Sequence, residues 1–217
     1  QDPAGLIKVL GLDLFNKRLE TTFNESQKST FGGGNGIDSF SGLEMLYNHG
    51  NQPCLHHSFL FNYSGKPWLT QKWSRAICEE FYGAEPLHGY GFGQDEDQGQ
   101  LGAWFVMASM GLFDIQGHAA MNPTFQFGSP LFDKVTIKLD SKYYKGEELI
   151  IETKNNSKKN KYIQSASFNG EKIENAWIDR KKLTDGGTLF FEMGAKPNTK
   201  WGTKIPPPSM STSEFGS

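Results

Sequence analysis

The chain has 217 residues, 22 basic against 24 acidic, a net charge of -2, and 13% aromatic side chains. That length is enough for one large domain or two modest ones with a buried core. The near-neutral balance without a long basic run excludes a phosphate-backbone partner, so no nucleic acid is expected. No apolar run approaches the roughly 18 residues a membrane helix needs, so no membrane span is expected. Cys54 and Cys78 lack zinc-type spacing and read as two buried free thiols.

In chain order, the first half reads as helical. "PAGLIKVLG" is a short helix stopped by Gly11, and in "LDLFNKRLETTF" the apolar residues Leu12, Phe15, Leu19 and Phe23 recur at helical spacing. "FGGGNG" then breaks the chain. "SGLEMLYN" and "LHHSFLFNYSG" predict short helices. "KPWLTQKWSRAICEEFYG" predicts a longer one, with Pro67 near its start, Trp73, Ile77 and Phe81 on one face and Gly83 as its stop. "QLGAWFVMASMGLF" is apolar on nearly every side, which predicts a helix packed inside a bundle.

From about Phe125 the period changes to two. "KVTIKLD", "EELIIETK", "KYIQSASFNG" and "GTLFFEMG" alternate apolar and polar residues between turn signals such as Lys145-Gly146, Asn169-Gly170 and Gly186-Gly187. They predict an antiparallel β region, one half of a sandwich. The organisation is therefore helical over 1–120, antiparallel β over 121–203, and a proline-led polar tail over 204–217 that resembles a disordered or vector-derived remnant. Neither half covers its own apolar faces, so the chain is expected to belong to something larger. It begins abruptly at Gln1 without an initiator Met, so the absence of a recognisable signal peptide carries little weight.

Two polar constellations stand out. Asp95, Glu96 and Asp97 sit between the flexible "GYGFG" and a hydrophobic helix. Acids there can cap the helix and complement its dipole. One would suffice; three in succession repel one another. In an extended backbone Asp95 and Asp97 point the same way and Glu96 the other, and two carboxylates facing one space can hold a cation or accept a proton from water. Capping and chemistry both stay open at this point. The second constellation is "NHGNQPCLHH", where three of the five histidines fall within nine residues beside Asn48, Asn51 and Gln52. Amide oxygens suit a hard cation such as Ca²⁺, whereas adjacent His56 and His57 diverge on a helix and suit zinc poorly. Sugar hydroxyls are another natural client of amides and imidazoles. With no GxSxG elbow, no P-loop and no strand-led GxGxxG, what remains is carboxylate chemistry.

The segments "GFGQDEDQGQLGAWFVMASMGLFDI", "HGNQPCLHHSFLFNYSGKPWLTQKWSRAI", "FQFGSPLFDKVTI", "NKYIQSASFNG" and "MGAKPNTKWG", in that set and order, resemble the C-terminal part of glycoside hydrolase family 92, the calcium-dependent exo-acting α-mannosidases. The resemblance runs from residue 1 to about 202. It implies a mixed α and β multidomain fold: a partial (α/α) six-hairpin barrel followed by antiparallel strands that complete a β-sandwich. It implies inverting hydrolysis of a mannose-containing glycan, with α-1,2 linkages as the expected substrate, in which an acid and a base carboxyl stand about 6.5 to 9.5 Å apart. Asp97 matches the general base and Asp95 its supporting partner. Asn51, Gln52 and Asp97 match calcium ligands, and His49, His56, His57 and Glu96 fall beside the substrate. Many members carry Glu where this chain has Gln52, which keeps the oxygen and loses the charge. The family's general acid lies upstream of Gln1, so catalysis is expected to need an N-terminal portion of the same enzyme. The family also implies a bacterial periplasmic or secreted location. Two other classes compete: a non-catalytic carbohydrate-binding protein stacking sugars on Trp68, Trp73 or Tyr90, and a structural fragment whose acids only cap a helix. Trp73 and Trp104 stand at core spacing, which favours packing over stacking for those two.

Overall fold

A computed structural model of the chain describes residues 2–33, 46–83, 98–117 and 119–212. The first helix, α1 (Pro3–Leu10), starts where the Asp2 side chain accepts a hydrogen bond from the Gly5 N–H and Pro3 presets the first turn. It ends at Gly11, and α2 (Leu12–Gln27) follows directly. Of the helical stripe predicted for α2, Phe15 and Phe23 are buried, Leu19 packs at the core margin and Leu12 is half exposed. Among the described residues, the short 3₁₀ turns Thr30–Gly32, Gln52–Cys54 and His57–Asn62 precede α3 (Pro67–Glu80). This helix runs through the middle, with ten of its fourteen residues buried, and no other element touches as much of both halves.

α4 (Gln100–Ser109) buries Leu101, Trp104 and Ala108 but leaves Val106 at 55% exposure. Its all-round apolar sequence predicts burial on every side; among the described residues no neighbour covers the Val106 flank. Across α2, α3 and α4 the core is aromatic: Phe23 stacks on Trp73 with centroids 5.3 Å apart, and Phe31, Tyr47, Phe59, Phe61 and Phe81 close around them.

The β region begins earlier than the sequence suggests, with β1 (Leu112–Phe113). It continues through β2 (Thr124–Phe127), β3 (Lys134–Lys138), β4 (Glu148–Lys154), β5 (Tyr162–Phe168), β6 (Glu171–Ile173), β7 (Trp177–Asp179), the short helix α5 (Arg180–Thr184) and β8 (Gly187–Gly194). β1-β2-β7 form one sheet and β3-β4-β8-β5-β6 a second. The expectation of a wholly antiparallel region needs one correction: β4 and β8 run parallel, from Leu149↔Gly187 to Lys154↔Glu192. A parallel pair needs a crossover, and the excursion through β5, β6, β7 and α5 supplies it. Leu149, Ile151, Ile163, Leu189 and Phe191 of the larger sheet share one apolar cluster with Leu112, Phe127 and Ile178 of the smaller. The reverse face of the larger sheet carries Lys134–Glu152 and Lys154–Glu192 cross-strand pairs at 2.8 and 3.9 Å. It is a solvated face.

Buried polar contacts join the two halves. The Gln71 carboxamide oxygen of α3 accepts the Ile163 N–H at 2.9 Å, beside the irregularity in β5 that would otherwise orphan it. Asn62 Nδ2 donates to the Phe127 carbonyl at 3.1 Å, and Arg75 donates to the Pro130 carbonyl and to Asn156 Oδ1 while pairing with Glu79 at 2.7 Å. The tail reading over 204–217 is also modified: Ser209 and Ser211 hydroxyls donate to Asp2 Oδ1 at 2.6 and 2.7 Å, which seats Met210–Thr212 against the start of α1. Cys54 and Cys78 are free thiols. Among the described residues no helix is long and apolar enough to cross a membrane.

Candidate active site

The loop before α3 is built by short-range bonds. Asn48 Oδ1 accepts the Gly50 N–H at 2.9 Å, Asn51 N–H reaches the Asn48 carbonyl, and Cys54 N–H returns to the Asn51 carbonyl at 2.8 Å around Pro53. The loop is held from below by Gly32 (φ +87°), where an added Cβ would meet Asn48 Oδ1 at 2.3 Å. Only glycine lets the two backbones approach there. The break predicted at "FGGGNG" is therefore, at its first glycines, a seat for the Asn48 loop.

This loop forms one wall of an open groove of about 550 Å³. Gln52, His56, Gln100 and Asp114 give it polar edges, and Leu55, Trp104, Met107 and Phe113 an apolar floor. Gln100 is the first residue of α4, three positions after Asp97 in the chain. Gly99 (φ +90°) occupies the N-cap position, so none of the three acids is the N-cap residue. Asp95, Glu96 and Asp97 themselves lie outside the described residues. A second hollow of about 250 Å³, lined by Phe168, Glu171, Lys172 and Trp177 among others, contains no residue singled out from the sequence.

The histidines separate in character. His49 is fully buried: its Nδ1 lies 2.7 Å from the Tyr47 hydroxyl and its Nε2 2.8 Å from the Tyr82 hydroxyl. Burial lowers its pKa to about 3, so it is neutral at any ordinary pH. With both ring nitrogens engaged it has nothing to offer a sugar, and the substrate-contact expectation does not suit its position. His56 reaches the groove, and burial holds its pKa below the ordinary value. His57 stacks edge-on against it at 4.6 Å, and burial, then the neighbouring His56, lower its pKa to about 4. Its Nδ1 is buried with no hydrogen-bond partner among the described residues.

Asn51 and Gln52 are exposed at the groove mouth, and Gln52 lines it. Their carboxamide oxygens are of the hard type that calcium takes, but calcium needs six to eight such ligands. Among the described residues no group of three or more His, Cys, Asp or Glu converges. The donors fit the ion in kind and would supply only part of a shell. Tyr47 and Tyr82, which hydrogen-bond His49, and Trp104 and Asp114, which line the groove, were not singled out for chemistry from the sequence. Only the proximity of Tyr47 to His49 in the chain hinted at one of them.

The glycosyl hydrolase family 92 catalytic domain matches residues 1–195. A curated relative from Arthroderma benhamiae, described as an uncharacterized secreted glycosidase, is 30% identical over 176 residues, covering 79% of this chain and 21% of its own length. Among solved structures, the α-mannosidase BT3965 from Bacteroides thetaiotaomicron superimposes over 100% of this chain and 26% of its own, at 31% identity and a TM-score of 0.81. The same enzyme in complex with mannoimidazole gives 0.80. The inverting mannosidase BT2199 from the same organism aligns over 97% of this chain and 28% of its own, at 30% identity and a TM-score of 0.76. The chain thus spans about a quarter of the solved relatives' length and about a fifth of the curated one's.

Proposed function

This chain belongs to glycosyl hydrolase family 92, and from that premise we propose that it forms the C-terminal portion of a calcium-dependent, inverting exo-α-mannosidase acting on α-1,2-linked mannosides of glycans. One observation carries the reading: Gln52 and His56 from one stretch and Gln100 from another, the two stretches that resemble the family's site motifs, border a single groove. Two similar structures are mannosidases, one of them inverting and the other known with mannoimidazole bound.

In this reading Asp97 takes a proton from a water molecule on the face of the sugar opposite the leaving group, and Asp95, a like charge beside it, favours that proton uptake. Glu96 and His56 orient sugar hydroxyls. The general acid comes from an upstream portion of the same enzyme, across a gap wide enough for the water. Asn51, Gln52 and Asp97 would hold calcium, which when bound supplies positive charge and oxygen coordination for mannose hydroxyls. The upstream portion completes the (α/α) barrel and the β-sandwich. Support for such a partner comes from α1 and α2, where Leu6, Val9, Leu12 and Leu14 are 43 to 83% exposed along one continuous run. A periplasmic or secreted location accords with the secreted curated relative.

The test is hydrolysis of an α-1,2-mannobioside by the full-length enzyme, followed by ¹H NMR. Release of β-mannose first, lost on treatment with EDTA and restored by Ca²⁺, supports the reading. Tight glycan binding by this chain without any turnover in the full-length enzyme would overturn it in favour of a carbohydrate-binding module.

A further inference from the structure

The hydrogen bonds around His49 fix where its proton sits. The Tyr82 hydroxyl has one hydrogen, and it is donated to the Leu101 carbonyl at 2.9 Å, because a carbonyl only accepts. Toward His49 Nε2, at 2.8 Å, the same oxygen must therefore accept, so Nε2 carries the hydrogen. Nδ1 is then bare and accepts from the Tyr47 hydroxyl at 2.7 Å. The result is a directed chain, Tyr47 O–H to His49, His49 N–H to Tyr82, Tyr82 O–H to the Leu101 carbonyl, with every proton accounted for.

Three separate pieces of backbone meet in that chain. Tyr47 and His49 belong to the loop that continues into Asn51 and Gln52, and the His49 N–H anchors it further on the Phe31 carbonyl at 2.8 Å. Tyr82 stands just past the end of α3, and Leu101 is the second residue of α4. The imidazole also packs edge-on against Trp104 at 4.2 Å. Trp104 stacks nearly parallel to Tyr82, 8° and 5.8 Å apart, and donates Nε1–H to the Leu55 carbonyl at 2.8 Å. Trp104 and Leu55 both line the groove. An imidazole is suited to this place because it presents one donor and one acceptor on opposite edges of a rigid ring; a phenol, an ammonium or an aliphatic side chain cannot.

We propose that His49 is a positioning residue that, with Tyr47 and Tyr82, locks the Asn48–Gln52 loop to the first turn of α4 behind the groove and so sets the groove's geometry without touching substrate. The proposal deepens the mannosidase reading and rests on it for its effect on rate. It replaces the expectation that His49 contacts the sugar. Outer partners of this kind, which orient the groups that do the chemistry, typically govern 10- to 100-fold in activity or metal affinity.

The test has two arms. In this chain at neutral pH, ¹⁵N NMR of the imidazoles should show His49 neutral with its proton on Nε2, and Tyr82→Phe should speed hydrogen exchange of the Leu101–Trp104 amides. An Nδ1-protonated ring, or unchanged exchange, overturns the proposal whatever the enzyme does. In the full-length enzyme, kcat should fall about 10- to 100-fold in Tyr82→Phe and in His49→Phe, measured well below their melting temperatures, with KM changed less than threefold. His49→Gln, which keeps a donor and an acceptor, should recover part of that loss. Should His49→Phe fail to fold, Tyr47→Phe and Tyr82→Phe each remove a single oxygen and carry the same test. A rate unchanged in the tyrosine variants, or a large rise in KM with kcat intact, overturns positioning in favour of a purely structural role or of direct contact. Wild-type enzyme without turnover would sink the mannosidase reading alone, since the first arm would still decide the wiring of His49.

Discussion

The helical and β regions bury their side chains by different rules. In the helical region the core is aromatic and polar groups are sealed into it. Among the described residues, every buried side-chain nitrogen or oxygen without a partner falls between Ser26 and Ser74: Ser26, His57, Ser58, Asn62, Tyr63, Thr70, Trp73 and Ser74. The β region has an aliphatic core of Leu149, Ile151, Ile163, Leu189 and Met193 around Phe191, and contributes none of those orphans. Native structures leave few buried polar atoms unpaired. Departures from local rules gather where a chain serves something besides its own stability. The contrast divides a β region whose buried polar groups are paired from a helical region that holds the unpaired ones and most of the groove's lining.

Experiments can break that division, beginning with the largest effect. Asp97→Asn should reduce kcat of the full-length enzyme by about 10²- to 10⁴-fold, the usual contribution of a general base, with the melting temperature unchanged. Retained turnover in both Asp97→Asn and Asp95→Asn would remove the acids from the mechanism. On the scaffold side, Phe191→Ala empties a fully buried site and should cost about 3–5 kcal/mol in urea unfolding. Gln71→Leu tests the seam, because it leaves the Ile163 N–H unpaired in the interior; the expected loss is about 1–3 kcal/mol.

A pH series sharpens the contrast further. His57 has a folded pKa of about 4 against an ordinary 6.5, so between those values the unfolded chain binds more protons than the folded one. Stability therefore falls as pH drops through that window, by at most about 1.4 kcal/mol per pH unit from this residue, and His57→Gln should flatten the slope. Asp2 has the usual carboxylate behaviour. The Ser209 and Ser211 hydroxyls hold its pKa well below 3.8, so the clasp is intact above that value and loosens only as pH falls beneath it. The smallest effect carries the opposite sign. Thr70 is fully buried with an unpartnered hydroxyl, one position from Gln71, and Thr70→Val should be neutral or stabilising by up to about 1 kcal/mol. A loss as large as that of Gln71→Leu would mean its hydroxyl is satisfied, and the division would weaken.

Much of the scaffold was legible in the residues. "GTLFFEMG" is β8 from end to end, and the alternation in "EELIIETK" and "KYIQSASFNG" locates β4 and β5 within a residue or two. The order of those strands was not legible, because pairing partners are fixed by contacts far apart in the chain, and alternation is the same for a parallel neighbour as for an antiparallel one. α3 followed from Pro67 and its apolar face; that apolar faces stay uncovered was also legible, but not that Leu6, Val9 and Leu12 would be the residues left outward, since periodicity shows which face is apolar and not whether anything covers it. Gln52 and His56, read from the sequence for their amide and imidazole chemistry, both line the groove. The burial of His49 was not legible: between Asn48 and Gly50 it reads as a loop residue open to solvent, and only tertiary packing brings Tyr82 and Trp104 around it. Trp104 read correctly as a packing residue, yet its position also floors the groove.

β8 occupies the centre of the larger sheet although, among the described residues, it is the last strand in sequence. During synthesis, the β3–β4 and β5–β6 hairpins must therefore wait as separate pieces, each presenting an unzipped apolar border, until Gly187–Gly194 leaves the ribosome and slots between them. Such borders are templates for intermolecular sticking. A translation product halted anywhere between Phe168 and Gly187 would be the species that chaperones capture and that aggregates first.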